Sequence, residues 1–235
     1  MRDILTAPFG ENELVIACDA LGGIGPKEKD QVQVPLKISA QFTTRVAMAE
    51  VLSYGAEPLA LVLTLNIEPY PFLAEAQEGI REELATIGME NLPLLFSSEK
   101  NMRTTQTGLG ITVIAQRKTK RVLPDFPLFL YALGVPSCGS MVLARINQIA
   151  DLRDLLLLRS LTPFILPAGS QGILVEAVNF ARELKATLCL ATPLPYSIFQ
   201  SCGPTTVLLF ASKERESAFT TLGKPIWRVG ILKPS

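Results

Sequence analysis

The stretch VIACDALGGIGPKEKD, residues 15–30, decides the fold. Leu14-Val15-Ile16-Ala17-Cys18 is apolar and predicts a buried strand. Asp19 stands at the strand's end. A glycine-rich turn follows, Gly22-Gly23-Ile24-Gly25-Pro26, and then Lys27 and Asp30. A carboxylate at a strand end suits Mg²⁺, because a hard cation wants oxygen ligands. Glycines without Cβ let backbone N–H groups approach phosphate oxygens, and a lysine adds positive charge beside them. The stretch therefore predicts half of a Mg-ATP site. Its residues also fit a plain tight turn between strands, which needs glycine for positive φ.

Composition narrows the rest. The chain has 235 residues, enough for one large domain or two small ones. Hydrophobic residues make up 48% and charged ones 19%, so a sizeable core is expected. Lys+Arg and Asp+Glu both number 22, which leaves no electrostatic footprint for nucleic acid or an anionic membrane. There is no histidine. That excludes Ser-His-Asp and Cys-His catalysis and His-based zinc sites. Cys18, Cys138, Cys189 and Cys202 form no C-x-x-C and sit among apolar or small residues. They read as reduced, buried thiols of a cytoplasmic protein. No signal peptide and no apolar run of membrane-spanning length is expected.

Outward from the opening stretch, Met1–Gly10 reads as a lead-in with a turn at Pro8-Phe9-Gly10. Glu13–Asp19 reads as the first strand, and Gln31–Leu36 as a second strand or extended arm. Thr43–Tyr54 reads as a helix capped by Thr43 or Thr44 and stopped by Gly55. Leu59–Ile67 is a near-continuous apolar strand that ends at Glu68-Pro69-Tyr70-Pro71. Leu73, Ala76, Ile80, Leu84 and Ile87 give Phe72–Ile87 a helical period. Strands follow at Leu92–Phe96 and Gly108–Gln116, with a basic hairpin-like tail at Arg117–Arg121. Pro124 and Pro127 mark a change of composition. The boundary is placed there, giving domains 1–121 and 122–235. The second part predicts strands at Leu128–Leu133, Leu188–Ala191, Thr206–Ala211 and Trp227–Leu232. Its helices are expected at Ile149–Arg159, Ile173–Leu184 and Ser212–Leu222. The mixed order of elements argues α/β or α+β in both halves.

Several constellations could carry chemistry. Asp19, Glu68 and Glu99 each follow an apolar strand. Convergence of such carboxylates on one edge, with Glu50 or Asp30, would make a Mg²⁺ site; separately they are solvated loop residues. Ser97–Thr107, SSEKNMRTTQT, is dense in hydrogen-bonding groups. Asn101, Thr105, Gln106 and Thr107 could line a ribose, base or phosphate, or could close Asx and ST turns. Pro167-Ala168-Gly169-Ser170-Gln171-Gly172 precedes a helix and is a candidate anion loop or an ordinary helix start. G-x-G-x-x-G and the Walker P-loop are both absent.

In this order the motifs resemble the aminoimidazole ribonucleotide (AIR) synthase-related, PurM-like superfamily. The residues that carry the likeness are VIACDALGGIGPKEKD (15–30), RVAMAEVLSYGAEPLALVLTLNIE (45–68), GLGITVIA (108–115) and SCGPTTVLLFA (201–211). SSEKNMRTTQTGLG and PAGSQGILVEA are similar to motifs of its α-ribazole kinase branch, which serves cobamide salvage. The resemblance implies a two-domain architecture with an N-terminal ATP-binding sheet domain that pairs with a second copy as a dimeric barrel. It implies a short α+β C-terminal domain, ATP and Mg²⁺ as cofactors, and a nucleoside-like acceptor. On this basis Asp19, Lys27 and Glu99 are the expected catalytic residues, and Asp19, Glu50, Glu68 and Glu99 the expected metal ligands. Gly22, Gly23, Gly25, Asp30, Asn101, Thr105, Gln106 and Thr107 are expected to bind nucleotide. One departure stands out: the superfamily's Asp in S-D-x-x-A-M-G-A is missing from AMAEVLSYGA, where Glu50 is the only acid. Two alternatives stay open. One is an ATP-using ligase or dehydratase; the other is a non-catalytic nucleotide-binding protein.

Overall fold

The computed structural model describes residues 3–118 and 124–234, which form two compact units, one from each stretch. The first unit holds strands β1 (Ile4–Phe9), β2 (Asn12–Gly22), β3 (Ile24–Gly25) and β4 (Val32–Gln33), then helix α1 (Leu36–Ser53). It continues with β5 (Glu57–Leu65), helix α2 (Pro69–Ala85), β6 (Leu94–Ser98) and β7 (Gly108–Lys118). Five strands form one sheet in the order β1-β2-β7-β5-β6, and β3 with β4 form a small parallel pair beside it. Only the β5–β6 pairing in the large sheet is parallel.

Alternation sets which face is the core. Leu109, Ile111, Val113 and Ala115 of β7 are all buried, and the residues between them are half-buried, as a period of two requires. Register places Val15 and Ala17 of β2 and Leu61, Leu63 and Leu65 of β5 on the same buried face. Helix α1 lies across β2, β7 and β5 on that face, with α2 against it. A Cβ on Gly79 of α2 would stand 2.2 Å from the Lys37 carbonyl oxygen, so glycine is what lets the two helices touch. Arg45 of α1 grips Glu83 of α2 through two bonds of 2.7 and 3.0 Å, both side chains nearly buried. Removing one partner of such a pair typically costs about 3–5 kcal/mol.

The opposite face of the sheet is apolar and, among the described residues, carries no helix of this unit. One row across it is Leu5–Ile16–Ile114–Ala60, and the next is Cys18–Thr112–Val62–Leu95. Leu5 and Leu95 are exposed by 64% and 68%, which marks an apolar patch open at both ends.

The second unit holds β8 (Leu128–Gly134), α3 (Met141–Ala144), α4 (Leu152–Leu161), β9 (Ile165–Ala168) and α5 (Ile173–Glu183). It then has β10 (Ala186–Leu190), β11 (Val207–Ser212), a 3₁₀ turn (Glu216–Leu222) and β12 (Ile226–Pro234). The sheet order is β10-β12-β8-β11-β9, antiparallel throughout. All six residues of β11 are buried, as in a strand covered on both faces. One core gathers Ile173, Ala177 and Phe180 of α5 with Leu130, Leu209 and Trp227. Tyr131, Phe210 and Phe219 stack in a separate aromatic group, with centroids 4.9–5.4 Å apart.

Five expectations are corrected. The lead-in holds a strand, β1, paired with β2 along its whole length. Helix α1 begins at Leu36, so Thr43 and Thr44 are interior and not caps; their hydroxyls donate to the carbonyls of Ser39 and Ala40. Ser212–Leu222 is not an α-helix, because β11 runs on to Ser212 and only a 3₁₀ turn follows. β9 was not foreseen: Pro167 blurs it, yet an edge strand tolerates proline. Finally, Cys18, Cys138 and Cys189 are exposed, and only Cys202 is buried. The basic tail expected at Arg117–Arg121 lies mostly outside the described residues; β7 reaches Lys118. Among the described residues, no helix is long and apolar enough to cross a membrane.

Candidate active site

The register of the first sheet decides where the chemistry-bearing loops go. Gly22 pairs with Gly108, and Leu65 pairs with both Leu109 and Ser98. The ends of β2, β5 and β6 and the start of β7 therefore share one sheet edge. Asp19, the glycine turn, Glu68, Glu99 and loop 101–107 all lie at or near that edge.

The glycine turn and loop 101–107 are bound into one piece. Gly23 N donates to the Thr107 carbonyl at 2.9 Å, and Lys29 N to the Thr105 carbonyl at 3.0 Å. The Gln106 amide donates to the Lys29 carbonyl at 2.9 Å. Asp30 is the centre of this lacing. Its carboxylate accepts from Lys27 N at 2.8 Å, Thr107 N at 2.7 Å and the Thr107 hydroxyl at 2.6 Å. Asp30 and Thr107 are 8% and 2% exposed, so water does not compete for these bonds. A Cβ on Gly25 would stand 2.4 Å from Thr107 Oγ1, so the turn closes only because residue 25 is glycine. Asp30, Gln106 and Thr107, expected to bind nucleotide, are thus engaged in holding the loops. Gly22, Asn101 and Thr105 remain exposed, with Gly23 half-buried.

Lys27 and Glu68 meet at 2.5 Å. Glu68 also accepts from the Thr104 amide at 3.2 Å and the Thr104 hydroxyl at 3.1 Å. The Lys27 hydrogen bond, followed by that of Glu68's own backbone N–H and those from Thr104, lowers the Glu68 pKa to about 2. The Lys27 ammonium sits 5.0 Å from the centre of the Phe72 ring. Sequence reasoning passed over Thr104 and Phe72. The only available signal was their place one step from residues already singled out.

Asp19 is different. Burial pushes its carboxyl up to about 6, against a backbone hydrogen bond at Ala20 and aided by the charge of Asp3. Glu99 turns back on its own loop, accepting from Asn101 N at 2.6 Å and Met102 N at 3.0 Å. Those bonds lower its pKa, which makes it a weak proton acceptor. Glu50 does not reach this edge. Ser39, near the start of α1, bonds the Ile24 carbonyl of the glycine turn. Glu50 lies 11 residues further along, and at ~1.5 Å per residue the helix carries it roughly 16 Å away.

No protein-family model matches the chain, and it has no match among curated proteins. Solved structures do match. AaThiL, the thiamine monophosphate kinase from Aquifex aeolicus, complexed with AMPPCP and TMP, aligns at TM-score 0.66 and 12% identity. The alignment covers 100% of this chain and 85% of that one. Thiamine-monophosphate kinase from Stenotrophomonas maltophilia K279a aligns at TM-score 0.60 and 16% identity, over 99% and 89% of the two chains. PurL of Thermotoga maritima, complexed with ATP, aligns at TM-score 0.59 and 16% identity, over 98% of this chain and 37% of that one. The chain has the AIR synthase-like fold.

Within this AIR synthase-like chain, the expected metal set of Asp19, Glu50, Glu68 and Glu99 does not assemble among the described residues. Among the described residues, no three His, Cys, Asp or Glu side chains come together as a metal-holding group. Glu50 is carried away by α1, Glu68 is tied to Lys27 and Thr104, and Glu99 caps its own loop. Asp19 still fits a cation: it is a desolvated carboxyl beside a glycine turn, with no ion pair among the described residues. Mg²⁺ needs only one or two carboxylates when phosphates and water supply the other ligands. The donor set suits that arrangement and not an all-protein cage.

The second unit's candidate anion loop is less promising. Glu176 stands in the first turn of α5, and a Cβ on Gly169 would lie 3.2 Å from its Oε1. A carboxylate there already meets the positive end of the helix. Cys202, behind the loop, donates its N–H to the Gly169 carbonyl at 3.1 Å. Burial pushes its thiol up to about 12.

Proposed function

We propose that this chain is a Mg²⁺-dependent ATP phosphotransferase acting on a small nucleoside-like alcohol, with α-ribazole as the favoured acceptor. The observation that carries this reading is the gathering of Asp19, the glycine turn and Lys27 at one sheet edge, in a fold whose solved examples include nucleotide-bound kinases. The SSEKNMRTTQTGLG and PAGSQGILVEA motifs favour α-ribazole. Phosphoryl transfer needs positioning and charge neutralisation more than covalent chemistry, so the lack of histidine is no obstacle. Asp19 would hold Mg²⁺, which when bound neutralises charge on the phosphates. The exposed Gly22 end of the turn would approach phosphate oxygens, the Gly23 N–H being committed to the Thr107 carbonyl, and Lys27 would add positive charge. Asn101 and Thr105, both exposed, would contact nucleotide or acceptor. The open sheet face would pair with the same face of a second copy, giving a homodimer in the cytoplasm.

A transfer assay with γ-³²P-ATP and a panel of nucleosides including α-ribazole tests this. A labelled alcohol supports it; ADP and free phosphate with loss of water from the acceptor would point to a dehydratase or ligase. Asp19→Asn should abolish transfer without lowering the thermal unfolding midpoint, because it removes a charge that burial disfavours. A second reading, a nucleotide-binding protein without turnover, is favoured by one observation: the four expected metal ligands do not assemble. Calorimetric binding of Mg-ATP with no transfer to any alcohol would select it.

A further inference from the structure

Glu68 stands at the proposed ATP-binding edge, yet its contacts are not those of a metal ligand. Its carboxylate meets the Lys27 ammonium, the Thr104 amide, the Thr104 hydroxyl and its own backbone N–H. The two contacts from Thr104 fix the carboxylate in place, so it is a strut and not a free donor. Lys27 is held at its other end as well, because its backbone N–H donates to the buried Asp30 carboxylate at 2.8 Å. Its ammonium lies 5.0 Å from the centre of the Phe72 ring, and the side chain is 12% exposed. Both ends of the lysine are therefore set before any ligand arrives. An ammonium has three N–H donors. One is committed to Glu68, and two remain for an oxyanion.

We propose that Glu68 is a positioning residue that holds the Lys27 ammonium extended toward a bound polyphosphate. The pairing does the work that a lysine–glutamate pair does in protein kinases, where it sets the lysine on the nucleotide phosphates. It fixes the side-chain geometry and lowers the entropy lost when the phosphate binds. This inference rests on the ATP reading given above and adds the element that aims the cation.

A double-mutant cycle tests it, with Glu68→Gln, Lys27→Met and the double variant. Mg-ATP and adenosine are the two ligands, measured by calorimetry. Glu68→Gln should weaken Mg-ATP about tenfold and leave adenosine unchanged. In the Lys27→Met background the Glu68 substitution should have no further effect on ATP, and the magnesium concentration for half-saturation should not move. Glu68→Asp, which keeps the charge on a shorter stem, should recover part of the affinity, and it serves as the second variant if Glu68→Gln unfolds. Persistence of the tenfold loss without Lys27, or a raised magnesium requirement in Glu68→Gln alone, overturns the proposal and makes Glu68 a metal ligand. Equal weakening of adenosine overturns it as well, since that is a general loosening of the loops. A wild-type chain that binds no Mg-ATP overturns the ATP reading itself. That result is seen in the wild-type arm before any variant is compared.

Discussion

Replacing Asp30 by alanine should be among the most damaging single changes in the first unit. The substitution removes the acceptor for three hydrogen bonds, from Lys27 N, Thr107 N and the Thr107 hydroxyl. Lys27 N lies in a half-buried segment, where water can replace the lost partner. Thr107 is 2% exposed, so its amide and hydroxyl stay dry and unpaired. A buried donor left without a partner costs about 1–3 kcal/mol, which puts the total for the two at roughly 2–6 kcal/mol. For a chain of this size each kcal/mol moves the melting temperature by about 2–4 °C, giving a drop on the order of 10 °C. Urea unfolding gives the free energy directly, and a Thr107→Val partner variant isolates the pair. Because the two side chains share one bond at 2.6 Å, the double variant should cost at least ~1 kcal/mol less than the sum of the single ones. Additive losses, or an Asp30→Ala midpoint within error of wild type, would falsify the view that this carboxylate ties the glycine turn to the threonine loop.

Three further outcomes are expected. Ile114→Arg, in the middle of the open sheet face, should turn a dimer into a monomer in analytical ultracentrifugation and leave the helical circular dichroism unchanged; a wild-type chain that sediments as a monomer rules the pairing out. Iodoacetamide at pH 8 should label Cys138 and Cys189 in the native chain, reach Cys18 only when the open sheet face is unpaired, and reach Cys202 only in urea, since Cys202 is buried with its pKa near 12. Native labelling of Cys202 at the rate of Cys138 and Cys189 refutes the burial. The Glu68 carboxyl has a lower pKa folded than unfolded, so its contribution to stability is complete above about 4.5 and is lost as pH falls toward 2. Wild type should lose more stability than Glu68→Gln across that interval, and parallel acid denaturation curves would contradict the Lys27 pairing.

What the sequence disclosed, and what it hid, follows from the range of the forces involved. β2, β5 and β7 were legible because strand alternation and apolar runs are local, and Gly55 as a helix stop because positive φ is a property of one residue. The early start of α1 was not legible. Leu36–Phe42 carries no polar cap, and the helix is held there by burial of Leu36, Ala40 and Phe42 against the unit's own core, a tertiary effect that overrides propensity. Strand β1 was hidden for a related reason: Thr6 and Pro8 look like a loop until β2 supplies the pairing.

The site divides along the same line. That Glu68 and Glu99 follow strands ending at one sheet edge could be inferred from the apolar runs before them, whereas Asp19, read as a strand end, lies within β2, which runs on to Gly22. What each carboxylate does there could not be inferred, because an acid looks the same in sequence whether it meets a cation, a lysine or a backbone amide. The structure separates the three by their partners among the described residues: Glu99 meets amides of its own loop, Glu68 meets Lys27 and Thr104, and Asp19 meets a backbone hydrogen bond and no cation. Desolvation without a compensating partner is costly for a carboxylate. It persists most readily where a ligand supplies the missing charge, and Asp19 is the residue at this edge in that condition.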